Sequence, residues 1–167
     1  DVLVCAGLSE YIFFSNDTEY ATTIASYYFG DVKVVRTSCV LKPKTSNQVS
    51  DAVKALSSST GGCWTVAIRS GGHSPYPSNN AANGVTIGLG RLNSVEYEEN
   101  STSTGYGVAS IGAGGRWGDV YAALEAQGVM TTEARETHVG VGGFLVGGDT
   151  YNAEQRREKG QDSLTYG

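Results

Sequence analysis

The chain has 167 residues, enough for one domain with a hydrophobic core but not comfortably for two. Its 12 basic and 17 acidic residues give a formal net charge of −5, and the basic residues form no cluster, which argues against nucleic acid and anionic membrane surfaces as partners. No apolar run approaches the roughly 20 residues that are needed to cross a bilayer.

The first stretch of the chain predicts a helix followed by a strand. Residues 17–29 place their apolar side chains on one helical face, with Asp17 as a cap and Gly30 as a stop. Residues 34–42 are rich in β-branched residues and predict one strand or a bent pair, ending before Pro43.

The next stretch predicts a second helix and a second strand. Thr45 and Gln48 form a capping box before a helix that extends to Leu56. Apolar residues follow at helical spacing, at Val49, Ala52, Val53 and Leu56. Residues 63–69 then predict a short apolar strand that leads directly into a glycine-rich turn.

The second half of the chain is dominated by short strands. After a polar loop over residues 75–84, strands are predicted at 85–89, 94–98 and 107–111. The polar turn at 100–105 indicates that the last two strands form a hairpin.

The chain then predicts one more helix before its character changes. Residues 116–127 predict a helix with Gly128 as its C-cap, and residues 139–146 are apolar with interspersed glycines. Residues 149–167 are polar without an apolar face and are expected to be a tail rather than a second domain. This order of elements predicts an α+β domain with a mixed sheet.

Glycine is unusually frequent, with 23 residues where average usage of roughly 7% would give about a dozen. The tract at 70–74 follows a strand, and its adjacent glycines let successive backbone N–H groups form a nest that suits a diphosphate. The alternative is a sharp turn with an exposed histidine. The tract at 139–148 suits a planar ligand or the close packing of a helix or strand, and the tract at 112–119 is typical of an ordinary connection.

Other chemistries find little support in the sequence. His73 and His138 are the only histidines, and Cys5, Cys39 and Cys63 show no metal-ligand spacing, so no metal site is expected. The Gly-x-Ser-x-Gly motif of many hydrolases is absent. Neither a metal protein nor a hydrolase would explain the glycine tracts.

Several features favour an extracellular protein. Sequons at Asn16 and Asn100 permit glycosylation. The chain opens as a secreted protein would after its leader is removed, and we expect it to be secreted.

Several motifs together resemble a known family, in the right order and spacing over residues 1 to about 148. They are Cys39-Val-Leu-Lys-Pro43, the helix over 47–56, Ala67-Ile-Arg-Ser-Gly-Gly-His-Ser74, Val85-Thr-Ile-Gly-Leu89, Arg91-Leu-Asn-Ser-Val95, Gly112-Ala-Gly-Gly-Arg-Trp-Gly-Asp-Val-Tyr121, Gly128-Val-Met130 and His138-Val-Gly-Val-Gly-Gly143 with Gly147-Gly148. The set resembles FAD-linked oxidases of the vanillyl-alcohol-oxidase superfamily, which have a PCMH-type FAD-binding domain. Fungal berberine-bridge-enzyme-like and glucooligosaccharide-oxidase-like members are the most similar.

The resemblance implies a fold of two small α/β subdomains that hold an extended FAD between them. It implies that His73 carries the flavin covalently at the 8α carbon, which would raise the flavin potential and prevent loss of the cofactor. The expected cofactor-binding residues are Arg69, Ser70, Gly71, Gly72, His73, Ser74, Val139, Gly140, Gly142, Gly143 and Gly148. The resemblance also implies a disulfide between Cys39 and Cys63, with Cys5 left over.

The chain departs from the family in two ways. Residues 134–138 lack the cysteine that bonds the flavin C6 in bicovalent relatives, so any covalent link is expected through His73 alone. Residues 149–167 depart from the family pattern and no substrate domain follows, so residues 1–148 are expected to be an incomplete FAD-binding domain whose catalytic base lies elsewhere.

Two functions follow from the resemblance. In the first, the protein is a secreted oxidase that transfers a hydride from an alcohol or sugar hydroxyl to flavin and then reduces O2 to H2O2. The catalytic residues are then unidentified, and the partners are a small alcohol or carbohydrate substrate and the missing C-terminal part of the enzyme. In the second, it is a truncated, non-catalytic secreted protein that kept the fold as a binding module.

Overall fold

A computed structural model describes residues 2–58, 63–99, 107–131 and 134–147 of the chain. These residues form two units, a four-stranded sheet with helices on both faces and a two-stranded hairpin with two helices. The helices are α1 (Val2–Cys5), α2 (Thr18–Ala25), α3 (Gly30–Lys33), α4 (Ser46–Ser57), α5 (Trp117–Glu125) and α6 (Val141–Gly147). The strands are β1 (Ile12–Phe13), β2 (Cys39–Leu41), β3 (Val66–Arg69), β4 (Val85–Gly88), β5 (Val95–Glu98) and β6 (Val108–Ile111).

The larger sheet has the order β1-β2-β4-β3 and is mixed, as predicted. Strands β2, β4 and β3 are parallel, whereas β1 runs antiparallel to β2. The register pairs Arg69 at the end of β3 with Gly88 at the end of β4. Because parallel strands end at the same edge of a sheet, the loop that follows β3 emerges where ligands bind in open α/β sheets.

Helices cover both faces of this sheet because its side chains alternate. Leu41 and Ile87 point to the face that α1 and α4 cover, and both are fully buried. Val40 points to the opposite face, where α2 and α3 pack. This alternation follows from the two-residue period of a β-strand.

The second unit has its own apolar core. Strands β5 and β6 form the predicted antiparallel hairpin, while the turn predicted at 100–105 lies outside the described residues. Trp117 and Val120 of α5 are fully buried beneath the hairpin, and Val141 of α6 completes the cluster. Gly128 follows α5 with a φ of +73°, so the predicted glycine C-cap is confirmed.

The first predicted helix is shorter than its pattern indicated. It ends at Ala25, where residues 17–29 had predicted a continuous helix, and a separate turn of helix follows at Gly30. The interruption lets Tyr27 enter the core, where its hydroxyl donates to the carbonyl of Asn79 at 2.7 Å. Asp17 does precede the helix, but its carboxylate accepts from the backbone N–H of Phe14 at 2.7 Å instead of capping.

The predicted strand over 34–42 is likewise reduced to Cys39–Leu41. The capping box before α4 forms with one change of partner. Thr45 Oγ1 accepts from the N–H of Gln48 at 3.2 Å, while Gln48 Oε1 accepts from the N–H of Lys44 rather than that of Thr45.

The predicted disulfide between Cys39 and Cys63 is not formed, and both residues, with Cys5, are free thiols in the structure. Cys39 is buried in β2, whereas Cys63 is exposed in the segment before β3.

A buried polar network fixes the segment that follows the loop after β3. Thr86, at the centre of β4, is fully buried. Its hydroxyl donates to Asn80 Oδ1 at 3.1 Å and accepts from the N–H of Ala81 at 3.3 Å. Asn80 in turn donates to the carbonyls of Val32 and Val35 at 3.1 and 3.2 Å. The network therefore ties the 77–81 segment to both the sheet and α3.

We expect Thr86→Val to lower the free energy of unfolding by about 1–3 kcal/mol, because it keeps the side-chain volume but leaves buried polar groups without a partner. Thr22→Val is the matched control, since Thr22 lies on the exposed side of α2 and should change stability by no more than about 0.5 kcal/mol. Urea denaturation of the three proteins measures both values, and equal stability of the two variants would contradict the assigned role of the network.

Candidate functional site

The loop over residues 70–74 depends on two features that require glycine. Gly72 has a φ of +73°, a conformation that residues with a side chain rarely adopt. A Cβ at Gly72 would also lie 2.7 Å from the Arg69 guanidinium, which packs beneath the loop. The loop therefore turns sharply over a buried arginine.

The two glycine tracts predicted to meet do so through their backbones. A Cβ placed on Gly71 would lie 2.4 Å from the backbone nitrogen of Gly140, and a Cβ on Gly140 would lie 2.1 Å from that of Gly71. Real Cβ atoms do not approach other atoms so closely, so only glycine permits this contact. It joins the loop of the first unit to the entrance of α6 in the second.

A cleft of about 230 Å³ opens beside this contact. The described residues that line it are Ile68, Ser70, Gly71, Gly72, His73, Ser74, Asn79, Val139, Gly140, Gly143 and Phe144. Most come from the two predicted tracts, which lie far apart in sequence. The resemblance assigned residues of both tracts to one cofactor site, and the structure brings the two tracts together at this cleft.

His73 is held at the cleft by an aromatic neighbour. Its ring stacks on Tyr28 with centroids 4.1 Å apart and an interplanar angle of 26°. The N–H of Tyr28 donates to the carbonyl of Gly72 at 3.1 Å, so the same residue supports the loop and the imidazole. Phe29 meets the imidazole edge-on with centroids 6.4 Å apart.

The cleft presents polar groups that find no partner among the described residues. His73 Nε2 and both amide atoms of Asn79 are buried without a hydrogen bond there. Within the described ranges, the backbone N–H groups of residues 70–74 also donate no hydrogen bond. Consecutive free N–H groups are the means by which a backbone nest binds phosphate oxygens. These groups, with the glycine cradle, fit a ligand that carries a diphosphate.

Two of the predicted cofactor residues that the structure describes, Arg69 and Gly142, do not line the cleft. The Arg69 side chain lies beneath the loop, where it donates to Ser26 Oγ at 2.8 Å. Gly142 packs against the second unit, since a Cβ there would lie 2.7 Å from the carbonyl oxygen of Ala113. Gly148 lies outside the described residues.

The third glycine tract serves the connection between the units, which agrees with its interpretation as an ordinary connection. Ser70 Oγ donates to the carbonyl of Ala113 at 2.6 Å. The N–H of Val141 donates to the carbonyl of Gly115 at 2.9 Å. Residues of this tract thus hold the other two tracts in place without lining the cleft.

Sequence reasoning missed several residues at the cleft. Ile68 precedes the first tract by two residues, and Phe144 lies within the second tract, whose expected cofactor residues did not include it. Asn79 lies in a loop whose composition indicated only a turn. Tyr28 belonged to a predicted helix, and no local pattern indicated its contact with His73.

A second histidine lies near the cleft in an exposed pair. His138 Nδ1 lies 2.8 Å from Glu136 Oε1, and the N–H of His138 donates to the same oxygen at 3.0 Å. These hydrogen bonds from His138 hold the pKa of the Glu136 carboxyl below its usual range. The pair lies within the 134–138 segment that lacks the cysteine of bicovalent relatives.

The described residues contain neither a cluster of metal-binding side chains nor a membrane-spanning helix. Within residues 2–58, 63–99, 107–131 and 134–147, no group of three or more His, Cys, Asp or Glu side chains is arranged to hold a metal ion. None of the helices in those ranges combines the length and apolar character of a membrane span.

Comparison with known sequences gives one family. The profile of the FAD binding domain matches residues 37–166. The chain is 38% identical over 151 residues to the FAD-dependent monooxygenase sdcF of Emericella nidulans, covering 87% of this chain and 30% of that protein. It is 34% identical over 145 residues to the FAD-dependent monooxygenase drtC of Aspergillus calidoustus, covering 86% of this chain and 27% of that protein.

Comparison with solved structures gives the same fold. Berberine bridge enzyme, solved as a variant with (S)-reticuline, matches with a TM-score of 0.71 and 22% identity over 86% of this chain and 29% of that one. The 6-hydroxy-D-nicotine oxidase of Arthrobacter nicotinovorans matches with a TM-score of 0.65 and 22% identity over 78% of this chain and 26% of that one. The predicted α+β, PCMH-type fold is confirmed, and the chain spans less than a third of each relative named here. The boundary at residue 148 stays a prediction.

The Gly71–Gly140 contact gives a testable expectation. Gly140→Ala should lower the free energy of unfolding by about 1–3 kcal/mol or more, because its Cβ would force the two units apart. Gly143→Ala is the matched control: Gly143 lines the same cleft and lies in α6, but a Cβ there meets nothing within 4 Å. It should be neutral or stabilising by up to about 1 kcal/mol, as expected for glycine to alanine in a helix. Thermal unfolding of both variants is the measurement, and a Gly140→Ala protein as stable as the wild type would refute the contact.

Proposed function

This chain belongs to the FAD binding domain family of FAD-dependent oxidoreductases, and we propose that it is the cofactor-holding part of a secreted oxidase that carries FAD on His73. The observation that carries the proposal is the convergence of residues 70–74 and 139–143 on one cleft, with His73 at its wall. The substrate of the proposed oxidase is an alcohol or a sugar hydroxyl, and the remaining part of the enzyme would provide the catalytic base.

Different residues of the cleft would hold different parts of the cofactor. The free N–H groups of residues 70–74 would bind the diphosphate, and Gly140 would allow the backbone to approach it closely. Val139 and Phe144 supply apolar surface at the same cleft. When bound, FAD would accept a hydride from the carbon that bears the substrate hydroxyl and pass two electrons to O2, which gives a carbonyl product and H2O2.

The proposed covalent link uses the imidazole of His73. Joining a ring nitrogen to the 8α carbon removes one hydrogen from each partner, which amounts to two electrons and two protons with O2 as the acceptor. The stacked Tyr28 ring limits the orientations of the imidazole. Tyr28 therefore supports the proposal as the residue that would present His73 to the cofactor.

We also propose that the protein is secreted and glycosylated. Asn16 is exposed and begins a sequon, whereas the second sequon, at Asn100, lies outside the described residues. Within the whole enzyme, the partner of this chain would be the polypeptide that completes the substrate site.

A monooxygenase is the second candidate, because the relatives sdcF and drtC carry that name. Both candidates need FAD and O2, and they differ in the fate of the oxygen atoms. With 18O2, an oxidase places both labelled atoms in H2O2, whereas a monooxygenase places one in the organic product and one in water.

The cofactor proposal is tested by the visible spectrum of the secreted chain, prepared with FAD. We expect flavin absorbance that stays with the protein after acid precipitation, and an intact mass raised by one FAD. His73→Ala should lose the acid-stable absorbance while still binding FAD reversibly, and His138→Ala, which removes the only other histidine, should keep it. A protein without flavin absorbance, whose His73→Ala variant has unchanged stability, would instead favour the non-catalytic binding module.

Tyr28 gives a separate prediction for the covalent link. Tyr28→Ala should lower the fraction of covalently bound flavin several-fold, since the imidazole loses its stacked neighbour, and Tyr28→Phe should restore it because the ring remains. Tyr76→Ala is the control, since Tyr76 is a highly exposed aromatic residue close to the same loop. Acid-stable absorbance per mole of protein is the measurement, and equal covalent flavin in Tyr28→Ala and wild type would rule out this role.

A further inference from the structure

Two arginine side chains converge on a single backbone carbonyl beside the cleft. Arg69 Nη2 and Arg116 Nη2 each lie 3.5 Å from the carbonyl oxygen of Gly71. Gly71 lines the cleft. Two positive charges are therefore close together just behind the wall of the site, which neither arginine itself lines.

Neither charge is neutralised by a carboxylate among the described residues. The ion pairs of the described ranges join Lys42 with Glu19, Lys54 with Asp51 and His138 with Glu136. Arg69 instead meets neutral groups, with its guanidinium 4.5 Å from the centre of the Tyr27 ring and 2.8 Å from Ser26 Oγ.

The burial of Arg69 makes this arrangement costly. Arg69 is 7% exposed, and its Nε is buried without a hydrogen-bond partner among the described residues. Burial lowers the pKa of the Arg69 guanidinium, and the nearby charge of Arg116 lowers it further. A buried cation without a counter-charge is unfavourable. No acidic side chain among the described residues pairs with Arg69, although the chain as a whole carries a net charge of −5.

An anion bound in the cleft would supply the counter-charge that the two arginines lack. The unpaired N–H groups of residues 70–74 lie at the same wall and are donors of the kind that bind phosphate oxygens. We infer that Arg116 and Arg69 form the counter-charge of the cofactor diphosphate. Arg116, which is half-buried, would supply its charge from beside Gly71, the cleft residue whose carbonyl it contacts. Arg69 acts as a positioning residue, because it holds the loop from beneath Gly72.

A purely structural role of Arg116 and a role as counter-charge predict opposite effects of its removal on the stability of the chain without ligand. Arg116 precedes α5, and its backbone forms a bridge with Gly140, so its side chain could serve only to tie the two units together. Removing the guanidinium would then destabilise the chain without ligand. If it is a counter-charge, removing it relieves the repulsion with Arg69, so the free chain keeps or gains stability while the affinity for the anion falls.

The experiment compares Arg116→Gln with two other variants of this chain. Arg116→Lys keeps the charge. Arg91→Gln is the matched control, because Arg91 is also half-buried and its Nη1 lies 3.5 Å from a backbone carbonyl, that of Lys42. The probes are inorganic pyrophosphate, FAD, and riboflavin, which lacks the phosphates. Binding is measured by calorimetry and by the shift in Tm of the chain prepared without flavin.

We expect Arg116→Gln to weaken the binding of pyrophosphate and FAD about tenfold, because a positive charge is removed from close to the bound anion. Its affinity for riboflavin should not change, and the Tm of its free form should equal or exceed that of the wild type. Arg116→Lys should stay within about threefold of the wild-type affinity, since the point charge remains. Arg91→Gln should leave the affinity for all three probes unchanged.

The salt dependence of pyrophosphate affinity provides an independent test. The affinity of the wild type for pyrophosphate should fall when NaCl is raised from about 0.1 M to about 1 M, and Arg116→Gln should show a smaller fall. The inference is overturned if Arg116→Gln lowers the Tm of the free chain and keeps the wild-type affinity for pyrophosphate. It is overturned equally if the wild type does not bind millimolar pyrophosphate. FAD binding that is unaffected by Arg116→Gln would refute this inference and leave the cofactor assignment intact.

Discussion

The contact between the backbones of Gly71 and Gly140 is the constraint on which the rest of the site depends. It brings together a loop at the end of a parallel strand and the entrance of a short helix in the other unit. Neither unit alone forms the cleft, because its walls come from both. Close backbone approach excludes side chains, so Gly71 and Gly140 are the glycines that let the two units form the walls of one cleft.

Residues other than glycine also hold the segments around this contact in place. Thr86 and Asn80 secure the segment that follows the loop, and the Tyr27 hydroxyl donates to the carbonyl of Asn79 in the same segment. Tyr28, the next residue, stacks on His73. One interruption of a helix thus places one tyrosine in the core and its neighbour at the cleft. The shorter first helix is therefore part of how the site is built.

The sequence predicted the elements and the convergence of the two tracts better than it predicted individual contacts. Periodicity located α4 and α5, because each helix packs one apolar face, and the Thr45 cap and Gly128 marked one end of each. The first helix was predicted too long, since the burial of Tyr27 overrides local propensity. The pairing of Cys39 with Cys63 was implied by the resemblance, and the structure instead leaves the buried Cys39 and the exposed Cys63 as free thiols. Tyr28 and Arg116 were missed because their partners at the cleft are distant in sequence.

The groups at the cleft indicate which steps of the proposed reaction this chain could support and which need other polypeptide. The described residues that line it offer backbone N–H groups, the His73 imidazole and the amide of Asn79, together with apolar surface, and none of them is a carboxylate. Such a set binds and orients a cofactor, and the adjacent arginines complement an anion. It does not include a carboxylate that could take a proton from a substrate hydroxyl. On the proposed function, selection of the substrate and removal of its proton therefore depend on polypeptide that faces this cleft from the open side.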